Sequence, residues 1–339
     1  MLVYVFVLVG MISVMPCAQV STQGGAMPGS HVGEPARLPV DAGGGIEWII
    51  IDDVDNPPVT LSPGWTWPVV GRGSVPYVYR IGKYEVTTAQ WLEFLNTFGP
   101  QGDEFRWFAR PEWWGADVDF TYNGPGVRYV LLDLPGAEMM PVFGIVWHDA
   151  ARFCNWLHND KSSDPISLES GAYDTSTFGY EPDGWTFTDQ VTRSEGARFW
   201  IPSWDEWLKA AHYDPQARRW YKWPTRDGRF PVTGLPGAGD TSAGVQGCED
   251  IIPYCPYFIP LGAYESTSPW GLYDVSGGTR EWTEETIESR WRGVEGNRAG
   301  GPLYGEIMTS ADSVLGIASE RPGTRPFTGL RLAGQPVSD

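Results

Sequence analysis

Eighteen tryptophans are spread along a chain of 339 residues that also holds 42 glycines and 29 prolines. Glycine and proline make up about a fifth of the sequence, and both interrupt regular elements, one through its conformational freedom and the other by fixing φ and removing an amide donor. Such a chain is a poor candidate for a helical bundle. It calls for much irregular backbone, pinned by large flat side chains. Hydrophobic residues at 42% and charged residues at 19% supply enough material for a core, which excludes disorder throughout. The formal charge of −18 repels phosphate backbones and anionic membrane surfaces, so no nucleic-acid partner is expected.

Residues 2–15 (LVYVFVLVGMISVM) are continuously apolar and too short for a bilayer span. Residues 1–18 read as a signal peptide. Two details depart from the usual pattern: no Lys or Arg precedes Arg37, and Pro16 sits badly for cleavage after Ala18; a mis-assigned start codon would explain both. A lipoprotein reading lacks small residues before Cys17. Residues 19–44 read as a flexible tether, 45–335 as one large domain, and 336–339 as a polar tail without a hydrophobic anchor. The expectation is an exported protein, secreted or held at the cell surface or in the periplasm, with no stable membrane span in the mature chain. Cys248 and Cys255, in GCEDIIPYC, are then expected to form a disulfide. Closing so short a loop stabilises by about 2–2.5 kcal/mol. The competing metal half-site lacks a second Cys or His pair. Cys154 falls on a helical apolar stripe and reads as a buried thiol.

Strands are expected at 46–51 and 76–86. Thr87 and Gln90 form a T-x-x-Q capping box ahead of a helix over 88–98, with Trp91, Phe94, Leu95 and Phe98 on one face. A second helix is expected over 148–158, striped by Trp147, Ala150, Ala151, Cys154 and Leu157. A third starts after Ser203, which forms a capping box with Glu206 and precedes the stripe Trp204, Trp207, Leu208, Ala211. No helix signal follows His212. Trp65, Trp67, Trp113, Trp114 and Trp223 lie in loop-like stretches and are the candidates for an exposed aromatic platform. His31, His148, His158 and His212 have no metal-ligand spacing and read as surface or capping residues; no G-x-S-x-G and no P-loop occur. The acid pairs Asp52-Asp53, Asp205-Glu206 and Glu284-Glu285 read as solvated surface, with Asp205 and Glu206 also suiting a helix N-terminus.

Four stretches then appear in order: YRIGKYEVTTAQWLEFLN (79–96), PVFGIVWHDAARFCNWL (141–157), RFWIPSWDEWLKAAHY (198–213) and SPWGLYDVSGGTREWT (268–283), closed by GLRLAG (329–334). Together they resemble the formylglycine-generating enzyme, or sulfatase-modifying-factor, domain family. The resemblance implies an α+β, C-type-lectin-like fold with low regular secondary structure, two or three short helices packed on small antiparallel sheets. Members of the family oxidise a substrate cysteine with copper held by two cysteines that follow an R-G. Here Arg292-Gly293 is followed by no cysteine, and no cysteine occurs after Cys255. Thiolates are the soft ligands that hold Cu(I), so no copper and no formylglycine-generating activity are expected. The superfamily's three-histidine iron branch is not matched either. Calcium is the family's other ion, bound through a G-N-x-x-E-W segment. This chain reads Gly277-Gly278-Thr279-Arg280-Glu281-Trp282, which keeps Glu281 as a candidate calcium ligand but replaces the Asn with Gly278. The competing reading makes Glu281 a buried hydrogen-bonding anchor. Asp240 lies near the second calcium loop of the resemblance. Arg292, Arg331 and Trp282 are the candidate ligand-groove residues.

The expectation is a secreted, non-catalytic recognition or scaffold domain for a glycan, peptide or protein ligand. One alternative is a tailoring enzyme whose chemistry does not depend on cysteine-bound copper, with Glu281, Arg292 and Arg331 as its candidate groups. Another is a structural part of a cell-surface complex.

Overall fold

The computed structural model describes residues 45–60, 69–102, 115–245, 258–295 and 328–336. These all lie in one unit, Leu38–Asp339. The expected signal peptide, the tether, Cys248, Cys255, Trp65, Trp67, Trp113 and Trp114 fall outside the described residues.

Among the described residues, two of the three α-helices start where the sequence places a capping box. Helix α1 (Thr88–Phe98) opens with Thr87 Oγ1 accepting from the Gln90 amide at 3.3 Å, while Gln90 Oε1 accepts from the Thr87 amide at 3.0 Å. Helix α3 (Trp204–His212) repeats the exchange between Ser203 and Glu206, at 3.2 and 2.7 Å. Each box satisfies two amides that a helix start otherwise leaves without partners. Helix α2 (Trp147–His158) has Val146 before it and no side-chain cap. Its anchorage is packing instead: Trp91 and Phe94 of α1 meet Phe153 of α2 with ring centroids 5.1–5.3 Å apart, and Trp156 joins them 5.3 Å from Phe94.

These helices surround a four-stranded sheet in the order β1 (Trp48–Ile51), β2 (Tyr79–Gly82), β11 (Ala333–Gly334), β5 (Phe199–Trp200), every pairing antiparallel. A second sheet places β8 (Arg280–Ile287) between β9 (Trp291–Glu295), antiparallel, and β10 (Thr328–Gly329), parallel. Two hairpins complete the set, β3 (Ala116–Val118) with β4 (Tyr129–Leu131) and β6 (Tyr213–Asp214) with β7 (Arg219–Trp220). The chain thus ties its C-terminal strand β11 into the middle of the first sheet, beside β2.

The strand expected over 76–86 pairs in the sheet only over Tyr79–Gly82. Beyond it the chain leaves the ladder and is held by single bonds, such as the Val86 amide to the Leu330 carbonyl at 2.7 Å. Aromatic residues were expected to pin the loops, yet buried asparagines share that work. Asn155 donates to the Leu168 and Tyr173 carbonyls and accepts from the Tyr173 amide, all at 2.7–2.8 Å, so one side chain stands in for a strand partner. Asn56 bonds to the Gly73 carbonyl and the Val75 amide in the same manner, and the half-buried Asn96 does so to Tyr129 at the start of β4. Among the described residues no helix is long and apolar enough to cross a membrane.

Candidate functional site

Strand β8 does not alternate between buried and exposed. Glu281, Trp282, Thr283 and Glu284 are all buried, with Trp207 of α3 on Glu281, Trp147 of α2 on Thr283, and Tyr173 and Arg193 on Glu284. An ionised side chain in such a place needs a partner. Glu281 finds two: Arg331 donates to it from Nε, at 3.0 Å to each oxygen, and from Nη2 at 2.7 Å, and Trp207 Nε1 donates at 2.6 Å. The rest of the Arg331 guanidinium donates to the carbonyls of Gly82, Lys83 and Tyr273 at 2.9–3.0 Å. Arg331 therefore fastens β8 to the end of β2 and to the loop before β8. Trp282 is likewise internal, its Nε1 donating to the Ile145 carbonyl at 2.8 Å.

Gly278 has φ of +58°, and a Cβ added there would meet the Glu85 carboxyl group, which would have to shift to admit an asparagine. The Glu85 carboxylate accepts from the Thr279 amide and hydroxyl, and burial, with the charge of Glu281, holds it well above the usual carboxylate range. A cation at Glu281 would also face the Arg331 guanidinium. These residues do not fit a calcium ion, and the contacts of Glu281 are those of a buried anchor. Among the described residues no cluster of three or more His, Cys, Asp or Glu has metal-holding geometry. Asp240 is taken up by Arg229, at 2.6 and 2.7 Å, and by the Val232 amide.

Arg292, one of the expected groove residues, lies inside the protein. It is fully buried, with its guanidinium carbon 3.7 Å from the Trp147 ring centroid and 4.9 Å from that of Phe187. It donates to the carbonyls of Gln190, Val191 and Glu284 at 2.7–2.9 Å and to no carboxylate. Burial brings its pKa down to about 10. None of Arg292, Arg331 and Trp282 reaches a surface, since all three stand at 0% exposure. The stretch after Arg292-Gly293 where the resemblance places the copper cysteines, 296–327, lies outside the described residues. Cys154 is a buried free thiol.

The structure instead assembles a polar cluster from residues that the sequence scattered. Arg193 bonds Glu284 Oε2 and Glu206 Oε1 at 3.0 Å each, donates to the Tyr77 hydroxyl at 2.9 Å, and stacks 4.1 Å from the Trp200 ring centroid. Tyr173 and the Arg193 amide donate to Glu284 Oε1 at 2.8 and 2.7 Å. Arg72 adjoins, pairing with Asp205 and Glu285. The acids read as solvated surface are thus divided, with Glu206 and Glu284 buried and Asp205 and Glu285 at the edge. Burial pushes Glu284 up to about 7, with Arg193 opposing and Glu206 adding to the rise. No local pattern marks Arg193 or Tyr173, whose partners lie 91 and 111 residues away.

Nor are the histidines as expected. His212 is fully buried, and His148 bonds the buried Asp189 at 2.7 Å while stacked on Phe178. Of the platform candidates, Trp223 is half-buried and meets the exposed Phe230 edge to face at 4.6 Å.

A family model for the sulfatase-modifying factor enzyme 1-like domain matches residues 74–334. A chaperone protein, LppX of Paenibacillus barcinonensis, is 25% identical over 281 residues, covering 75% of this chain and 79% of its own. Among solved structures, that of CarF superposes with a TM-score of 0.51 at 16% identity, covering 86% of this chain and 99% of CarF. Treponema denticola variable protein 1 gives a TM-score of 0.48 at 15% identity, covering 85% of this chain and 95% of its own. The mixed α+β architecture is that of the CarF fold. With a family match across most of its length, this chain belongs to the sulfatase-modifying factor enzyme 1-like domain family.

Proposed function

We propose that this chain is an exported, non-catalytic recognition domain that binds another protein. One observation carries the proposal: the polar residues that the family pattern brings to β8 and β9 are consumed by internal bonds. Glu281 and Arg331 neutralise each other, and Arg292 and Trp282 serve loop carbonyls. Two further facts support it. The sequence between Gly293 and Gly329 offers no thiolate for copper. A relative covering three quarters of the chain is named a chaperone protein. Long loops on a rigid frame suit binding by surface variation.

The test has two arms. Copper-loaded pure protein incubated with a sulfatase-type cysteine peptide is expected to yield no aldehyde. Immobilised protein is expected to bind a permanently unfolded test protein, reduced and carboxymethylated α-lactalbumin, in a saturable manner, and to leave a panel of polysaccharides unbound. Aldehyde formation, or binding to polysaccharide alone, overturns the proposal. The enzyme reading rests on a single feature, the Glu284 carboxyl poised at about 7 behind the partly exposed Arg193 and Tyr77.

A further inference from the structure

A cavity of about 340 Å³ opens beside the start of α1. It lies at the lower end of the size range of small-molecule sites. Its walls are mainly apolar, from Ile46, Val86, Ala89, Met139 and Leu332, with the Tyr84 ring at one side. Among the described residues, the charged ones that line it are Glu47, Glu85 and Glu138, with no lysine, arginine or histidine.

The sign of the site follows from what each carboxylate meets. Glu47 is paired with Lys83, just outside the lining. Glu85 is buried with its carboxyl bonded to Thr279, and desolvation holds it well above the usual carboxylate range. Glu138 is exposed and has no ion-pair partner among the described residues. With Glu47 offset by Lys83 and Glu85 turned onto Thr279, Glu138 is the acidic side chain left to set the charge at the mouth. The start of α1 also faces the cavity, and its partial positive charge would favour an anion. The capping box already engages the Gln90 and Thr87 amides there, and the Thr88 amide donates to the Met140 carbonyl. The aromatic wall has cation chemistry of its own. Tyr84 stacks on Tyr273 at 5.2 Å, and Lys83 Nζ lies 5.4 and 5.5 Å from the two ring centroids. A second ammonium can use the same ring faces.

We propose that this cavity binds a small organic monocation, a primary amine with a hydrocarbon or aromatic arm. The arm fills the apolar interior, and the ammonium lies at the mouth between Glu138 and the Tyr84 ring. The site is separate from β8 and β9 and does not depend on the recognition role proposed above.

The experiment titrates the full chain with phenethylamine and with its isosteres 2-phenylethanol and 3-phenylpropanoate, following the Met139 and Ala89 methyl resonances. Saturable shifts at both methyls are expected with the amine. The alcohol is expected to bind about three- to tenfold more weakly, and the carboxylate more weakly still. Glu138→Gln should lower amine affinity about two- to fivefold and leave the alcohol unchanged. Ala89→Trp, at an exposed helix position, should abolish binding of both while the far-ultraviolet spectrum stays native. Absence of saturable binding by the amine, equal or tighter binding of the carboxylate, or an amine site unaffected by Ala89→Trp overturns the proposal.

Discussion

Arg331 and Arg292 are equally buried, yet their surroundings push them in opposite directions. Burial opposes the charge of both. At Arg331 the carboxylate of Glu281 outweighs that cost and raises the guanidinium above its ordinary value. At Arg292 three carbonyls and an indole face do not, and the pKa falls to about 10. Carbonyl dipoles satisfy hydrogen-bond geometry but return only part of the lost hydration, whereas a buried carboxylate returns a full opposite charge. Arg331 is thus half of a closed ion pair that clamps β2 to β8, whereas Arg292, with Asp189 and Glu284 near but no carboxylate bonded to it among the described residues, fastens the loop around Gln190 and Val191 to β8.

The largest expected effect breaks the closed pair. Glu281→Ala strands the Arg331 charge in the core and leaves Trp207 Nε1 without its acceptor. The loss should be about 3–5 kcal/mol, read as a shift in the urea unfolding midpoint. The double variant Glu281→Leu with Arg331→Met removes both charges and should recover much of that loss. A double variant no better than Glu281→Ala would show that the carbonyl bonds of Arg331, and not its ion pair, hold the clamp.

Next comes the pH dependence of the Arg292 side, where Glu284 contributes its carbonyl to Arg292 and its carboxyl to Arg193. The folded value of about 7 exceeds the ordinary 4.5, so between these pH values the folded chain holds a proton that the unfolded chain releases. The corresponding stability, about 3 kcal/mol, is present in full below pH ~4.5 and is lost as the pH rises through ~7. Glu284→Gln should flatten the stability profile between pH 5 and 8. An unchanged slope in that variant would place the linkage elsewhere, with Asp274, pushed up by burial to about 6, as the first group to examine.

The same contrast explains what the sequence discloses. Capping boxes at Thr87 and Ser203, and the stripes of Trp91, Trp147, Trp204 and Trp207, involve partners within a few residues, so the helices can be read directly. The motifs around 79–96 and 268–283 likewise carry the family and its fold. The burial of Arg292 and Arg331 is not legible in the sequence, for a physical reason. An arginine is ordinarily read as reaching for solvent, but irregular loops present unpaired carbonyls that a guanidinium can satisfy indoors. Arg331 meets carbonyls 248 and 249 residues away, and Arg193 meets Tyr77 across 116. No spacing rule links positions so far apart, and Glu284 reads as surface until Tyr173 and Arg193 are folded over it.

Replacing Arg292, the arginine without a bonded carboxylate among the described residues, sharpens the comparison further. Arg292→Met removes a charge whose burial is itself unfavourable, keeps an apolar stem against Trp147, and leaves three carbonyls without their donor. Two of those bonds are only partly buried, so water can replace the donor there. The opposing terms leave an expected loss of about 1–2 kcal/mol, smaller than for Glu281→Ala despite equal burial. A loss as large as that of Glu281→Ala would mean that hydrogen bonding to loop carbonyls, and not charge pairing, dominates at both arginines.

The smallest effect belongs to the exposed counterpart of the Arg331 pair. Arg229 and Asp240 pair end-on through Nη1 and Nη2, at 2.6 and 2.7 Å, but the arginine side chain is 48% exposed. Water already solvates the guanidinium there, so neither burial nor pairing changes its free energy much. Asp240→Asn keeps an oxygen for the Val232 amide, which donates at 2.8 Å, and removes only the charge. Its expected cost is under about 1 kcal/mol and shrinks further in 0.5 M salt, because exposed pairs are screened. Glu281→Ala should show no such salt dependence. If both variants respond to salt alike, the clamp at Arg331 is reached by solvent and the contrast between a closed pair and an open one fails.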